Sequence, residues 1–171
     1  MNSANLKDTE YAPFYSGYVK GLGNVALMDI LKTSEKDMLH SLSNLPKETY
    51  LFRYAEGKWT IKELLLHIID AERVFSYRAL RFARKDTTDL PGFDEDWFVE
   101  HSHANERSVS ELLLEFSEVR AATISLFKSF SDETLLLSGT ANGYNMSVRA
   151  IGFVICGHAL HHLKIIKERY L

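Results

Sequence analysis

Seven histidines, His40, His67, His101, His103, His158, His161 and His162, are the residues of this 171-residue chain best suited to chemistry. A neutral imidazole ligates metal ions and moves protons near neutral pH. The single cysteine, Cys156, can form neither an internal disulfide nor a Cys-rich zinc site. Any metal therefore falls to histidine or carboxylate. No Gly-x-Ser-x-Gly elbow and no phosphate-binding glycine loop offers a different mechanism.

Residues three or four apart share a helix face, so His158 can point the same way as His161 or His162. The apolar stripe decides between them. At about 100° per residue, with His158 at zero, Ile151, Ile155, Ile165 and Ile166 fall between about −20° and +80°. His162, near +40°, lies inside that arc, and His161, near −60°, lies at its edge with Lys164 and Glu168. Two imidazoles facing a core need partners, because a buried donor or acceptor left unpaired costs about 1–3 kcal/mol. A metal ion satisfies both, and so do hydrogen bonds to other side chains or backbone. His67, at the margin of the stripe on an earlier helix, joins them if the two helices run antiparallel or cross. The set then becomes three histidines with open positions, the pattern of catalytic sites. Asp70 and Glu63 flank His67 on its own face, where a carboxylate can orient a ligand or act as a base. Asp70 can equally be a solvated helix residue. Cys156, about 160° from His158, is read as packing.

The elements that position these residues are helices. Pro13, Pro46 and Pro91 all fall between periodic segments. Four long helices are predicted over 24–43, 60–84, 108–130 and 147–169. Thr60-Ile61-Lys62-Glu63 reads as a capping box, with Trp59 as a staple in front of it. From Thr60 onward Ile61, Leu64, Ile68, Ala71, Phe75, Ala79 and Phe82 recur at three and four. Asp86–Arg107 interrupts the pattern with Pro91-Gly92, acids, aromatics and histidines, and reads as a long ordered connection of the kind that often carries function. A short turn is expected over 132–137, and Ser138–Tyr144 reads as a glycine-containing connector with no competing strand pattern. Thr60–Leu64 weakly echoes Ser147–Ile151, consistent with two related helix pairs. The fold class is thus all-α, a four-helix bundle over 24–171 in a single domain, preceded by an extension over 1–23.

Composition narrows the function classes. The chain is 46% hydrophobic and 25% charged, enough to fill one core. Its net charge of −3 gives no reason to expect nucleic-acid binding. The longest apolar run, near Ala150–Gly157, is far short of a membrane span, and MNSANLKDTE lacks the form of a signal peptide. A soluble, cytoplasmic protein with no membrane association is expected. Tyr77, Arg78, Arg81 and Arg84 form a mixed aromatic and basic helix surface, read as solvated in preference to a carboxylate-binding face.

Gly57–Arg73 and Gly157–Leu163, with Leu90–Asp94 and Arg107–Leu113 between them, resemble the DinB family of DinB/YfiT-like metal-dependent enzymes, over about Leu27 to Tyr170. The resemblance implies a bundle of up-down-down-up connectivity and a three-His divalent metal site with His67, His158 and His162 as ligands. It implies nickel or zinc as the metal, and relatives include thiol S-transferases that use low-molecular-weight thiols, a mycothiol-dependent isomerase and proteins called hydrolases. The expected function is a metal-dependent enzyme acting on a small molecule by thiol transfer or hydrolysis. The alternative is a non-catalytic metal-binding, stress-response or scaffold protein, which a fourth ligand from His101, His103 or Asp94-Glu95-Asp96 would favour. Exposed apolar residues on the third helix, together with the family's habit, suggest a homodimer.

Overall fold

The computed structural model describes residues 1–171. Its helices are α1 (Ser16–Gly21), α2 (Leu27–Leu42), α3 (Ile61–Ala83), α4 (Glu95–Glu100), α5 (Val109–Lys128), α6 (Asp132–Leu135) and α7 (Val148–Arg169). Strands β1 (Ser138–Ala141) and β2 (Tyr144–Ser147) lie between α6 and α7.

Local chemistry sets the starts of the long helices. Thr60 Oγ1 accepts from the Glu63 amide at 3.1 Å while Glu63 accepts from the Thr60 amide at 2.7 Å. Ser108 and Glu111 repeat the arrangement at α5, at 3.2 and 2.9 Å. Ser147 caps α7 by accepting from Ala150 N at 3.1 Å. The first long helix begins three residues later than periodicity predicts. Ser3 N donates to Val25 O at 2.9 Å and Val25 N donates to Ser3 Oγ at 3.0 Å, which holds 24–26 outside the helix. At the end of α5, Ser129 and Phe130 tighten into three-residue turns on Leu126 and Phe127, so the helix closes before Phe130.

Helix α7 packs on both α3 and α2, and α5 also packs on both, so the consecutive helices α2 and α3 lie across the bundle from each other. The core is two apolar clusters stacked along the bundle. One holds Leu31, Phe82, Phe127 and Phe153; the other holds Ile61, Leu65, Ile69, Phe116 and Ile166. Phe82, Phe116 and Phe153 are fully buried; truncating any of them to alanine is expected to cost about 3–5 kcal/mol. Where the clusters meet, the helices contribute polar groups instead: Ser34, Glu72, Arg120 and His158, all buried.

The segment before α7 also departs from the sequence reading. The expected connector over Ser138–Tyr144 is an antiparallel hairpin, with Ala141 opposite Tyr144 across a two-residue turn. Asn142 and Gly143 both take positive φ, 51° and 77°, the backbone that a tight hairpin turn requires. Leu90, from the long connection, adds a parallel bridge beside Ala141, donating to Thr140 O at 3.0 Å and accepting from Asn142 N at 2.9 Å. The first 23 residues pack against the bundle. Tyr11 and Val19 are buried in the core, and Glu10 pairs with Arg149 at the start of α7, at 2.6 and 2.7 Å.

Candidate metal centre

His67 stands in the second turn of α3, and His158 and His162 stand one turn apart on α7. Packing of α3 on α7 brings the three rings together. His67 Nε2 lies 3.0 Å from His158 Nε2, and His162 Nε2 lies 3.0 Å from the same atom. One ligand atom from each falls within 4.8 Å of the others. His161 turns outward and is exposed, with its ring 5.0 Å from that of Tyr18. It is thus His162, not His161, whose ring faces His67 and His158.

The three nitrogens are not explained by hydrogen bonding alone. A neutral imidazole carries one proton on one of its two nitrogens. His158 Nε2 therefore has at most one hydrogen for two neighbouring nitrogens. Protonating the set is opposed by its surroundings. Burial lowers the His67 pKa to about 4, against the pull of Asp96. Burial, then the neighbouring His67 and His161, lowers that of His162 to about 3. Burial, followed by the other histidines, pushes His158 well below the usual range. His162 Nδ1 is buried without a partner. Three neutral imidazoles converging on one space are a donor set that fits a divalent cation.

Aromatic side chains wall the cluster. Trp59, immediately before the α3 cap, packs its ring 4.8 Å from His67, while Tyr18 and Phe75 lie 5.6 and 6.4 Å from His158. Tyr18 reaches this position because α1 lies directly on α7 at Gly157, where a β-carbon would stand 2.5 Å from Tyr18 O. The histidines open into a cavity of about 280 Å³, whose other walls are Phe14, Tyr15 and Tyr18, the α3 residues Ala71, Phe75 and Arg78, the connection residues Gly92, Phe93 and Glu95, and Asn142 at the hairpin tip. A β-carbon at Gly92 would stand 2.6 Å from Asn142 Oδ1, so a larger residue there would displace the Asn142 side chain.

The carboxylates singled out beside His67 are engaged elsewhere. Glu63 serves the α3 cap and accepts from Arg53 and Asn105, each at 2.8 Å. Asp70 sits 3.5 Å from Arg73, its pKa raised by burial against the pull of Arg73. Neither lines the cavity, whereas Glu95 does. His101 stacks on Trp97 at 4.0 Å and His103 sits exposed near Glu106, so neither joins the cluster. Arg78 corrects the sequence reading: it is 3% exposed, not part of a solvated face, and its Nη2 donates to Pro91 O at 2.8 Å. Tyr15, Tyr18 and Asn142 come from separate stretches that carry no shared spacing and are not legible as site residues, whereas Glu95 belongs to the Asp94-Glu95-Asp96 stretch read as a possible fourth ligand and Arg78 to the helix surface read as solvated. Only the Asn142-Gly143 pair, a strong hairpin signal, pointed toward one of them.

Comparison with known proteins agrees with this architecture. The solved structure of YfiT from Bacillus subtilis, described as a probable metal-dependent hydrolase with an unusual four-helix bundle topology, superposes with a TM-score of 0.73 at 16% sequence identity. The match covers 83% of this chain and 82% of that one. At that identity the likeness is one of fold. No curated protein sequence matches the chain. The DinB superfamily model matches residues 30–166, a span that takes in all three clustered histidines and all but the outer ends of the four long helices. By that match, the chain belongs to the DinB superfamily.

Proposed function

We propose that this protein is a metal-dependent enzyme acting on a small molecule, with His67, His158 and His162 holding one divalent cation. The observation that carries the reading is the approach of three neutral Nε2 atoms, two of them 3.0 Å from the third, beside an open cavity. Imidazole donors suit nickel and zinc. A cation held there supplies Lewis acidity, polarising a substrate carbonyl or acidifying a water or thiol nearby. The cluster contains three residues and no fourth, which favours an open catalytic centre over a closed structural one.

The chain's own residues supply the rest. Trp59, Tyr18 and Phe75 wall the imidazoles and restrict approach to the cavity side. Glu95 is the one carboxylate on the cavity wall, so its Oε atoms are the site's proton acceptor. Burial raises the Tyr15 pKa, partly offset by Arg78, so its hydroxyl stays protonated and available as a donor. Hydrolysis and thiol transfer both need this arrangement, and YfiT's description as a probable hydrolase favours the first.

Up-down-down-up connectivity belongs to the same reading. Glu72 with Arg120 and Ser76 with Thr123 advance together along α3 and α5. Trp59 with Tyr170 and His67 with His158 run in opposite senses between the α3 and α7 ends of the molecule, which supports an antiparallel pair.

The test is elemental analysis of protein purified without a histidine tag, followed by cobalt substitution and titration with azide and small thiols. One equivalent of cation and perturbed d–d bands are expected. Protein that takes up no divalent cation overturns the metal reading, and bands unmoved by every added ligand overturn the open site.

A further inference from the structure

Three arginines of this chain are buried: Arg78, Arg120 and Arg149. Arg120 is held by both oxygens of Glu72 and Arg149 by both oxygens of Glu10. Arg78, at 3% exposure, forms no ion pair. Its Nη2 donates to the Pro91 carbonyl at 2.8 Å, and its Cζ lies 5.7 Å from the centre of the Phe75 ring. The nearby Tyr15 hydroxyl is its other polar neighbour. A guanidinium has five N–H donors and stays charged throughout the ordinary pH range. Taking such a charge out of water is unfavourable unless an anion meets it. Arg78 is also the only one of the three that lines the cavity of the histidine cluster.

We infer that Arg78 is the receptor for a carboxylate on the substrate, and that the molecule turned over here is a small carboxylic acid with an apolar or aromatic body. This rests on the reading of the cavity as the substrate site and names the substrate class for it. A planar carboxylate matches the fork of the guanidinium. The faces of Tyr15, Tyr18, Phe75 and Phe93 accommodate the apolar body between Arg78 and the histidines. Glu95 lines the same cavity without pairing with Arg78, so the guanidinium is not neutralised from within the chain.

The test uses full-length protein stripped of metal, freed of chelator, and kept in a buffer without carboxylates. Benzoate and its neutral isostere benzamide are titrated by calorimetry and by following the Arg78 Nε–H resonance, assigned with Arg78→Lys. Benzoate is expected to bind at least about tenfold more tightly than benzamide and to move that resonance, with the preference abolished in Arg78→Met and reduced in Arg78→Lys. Should Arg78→Met fail to fold, as judged by its melting transition, the wild-type comparison and the resonance still decide. Equal binding of benzoate and benzamide, or benzoate binding that leaves the Arg78 signal unmoved, overturns the assignment. So does benzoate binding that appears only after cation is restored and persists in Arg78→Met, which would place the carboxylate on the metal. Arg78-dependent binding to a protein that takes up no cation would uphold the carboxylate site while overturning the metal reading.

Discussion

The Glu72 carboxylate meets the Arg120 guanidinium through two hydrogen bonds of 2.8 Å, at the level where the two apolar clusters of the bundle join. Arg120 also donates to Leu31 O at 2.9 Å and to Ser34 Oγ at 2.6 Å, so three helices are tied at one point. Both partners are essentially without solvent exposure.

That burial determines what substitution does. Removing one partner leaves the other as a buried, unpaired charge, so Glu72→Ala or Arg120→Ala is expected to lower stability by about 3–5 kcal/mol. Replacing both by apolar residues of similar size, Glu72→Leu with Arg120→Met, is expected to recover most of that loss. Urea unfolding of the two single variants and the double variant checks this. Additive losses in the double variant would show that the pair does not act as a unit.

The apolar-periodicity argument found the four long helices because each offers a continuous stripe, and it found the histidines because His158 and His162 sit inside one. It could not find Arg120 or Arg78. A charged residue within a stripe reads as surface until its partner is known, and Glu72 stands 48 residues from Arg120 in the chain. The hairpin escaped for a different reason. Its strands are four residues long and mix polar with apolar positions, leaving Asn142-Gly143 as the only local sign. Of the cavity's walls, the long connection was legible as a functional stretch, whereas the N-terminal segment was not, because nothing in its sequence ties it to the histidines.

His161 and His162 are adjacent in sequence and differ in face, which makes them a controlled pair. His162→Ala is expected to lose the cation, while His161→Ala retains it, as read by elemental analysis after dialysis. The reverse result would place the wrong residue in the cluster. The metal-free protein also carries a pH signature. Burial keeps His67 and His162 neutral down to about pH 4 and 3, whereas the unfolded chain takes up protons below about pH 6.5. The unfolded state then binds more protons, so stability is expected to fall as pH drops from 6.5 toward 4, by up to about 1.4 kcal/mol per pH unit for each histidine. A flat profile across that window would show imidazoles already open to water.

Gly157 permits the contact that brings the N-terminal segment to the site. Gly157→Val puts side-chain atoms into the space held by Tyr18 O, which a backbone carbonyl cannot vacate without moving α1. The expected outcome is a bundle that remains folded with its first 23 residues detached, read as new protease cleavage before Asn24 and a loss of the Tyr18 contact with His158. Unchanged protease resistance would mean that α1 tolerates displacement from α7 without release. Gly157 precedes His158 directly, so the metal content of the variant is measured alongside.

Cys156 is fully buried in the core near Ser34, Glu72 and Arg120, and burial pushes its thiol up to about 11, against the pull of Arg120. The thiolate is the reactive form, so two barriers act together: solvent exclusion and an unfavourable ionisation. The native protein is expected to give no reaction with a disulfide reagent at pH 8 on the timescale in which the urea-unfolded chain reacts to completion. The same shift links to stability with a definite sign. The unfolded thiol ionises near pH 9 and the folded one near 11, so the folded state retains more protons between these values and stability falls as pH rises through that window. Cys156→Ala removes this contribution while leaving other alkaline losses in place. Comparing urea midpoints of wild type and Cys156→Ala at pH 8 and pH 10 isolates it: the gap between the two proteins is expected to shift toward the variant at the higher pH. A gap that does not change, with rapid labelling of the native thiol, would put Cys156 at an accessible surface instead of in the core.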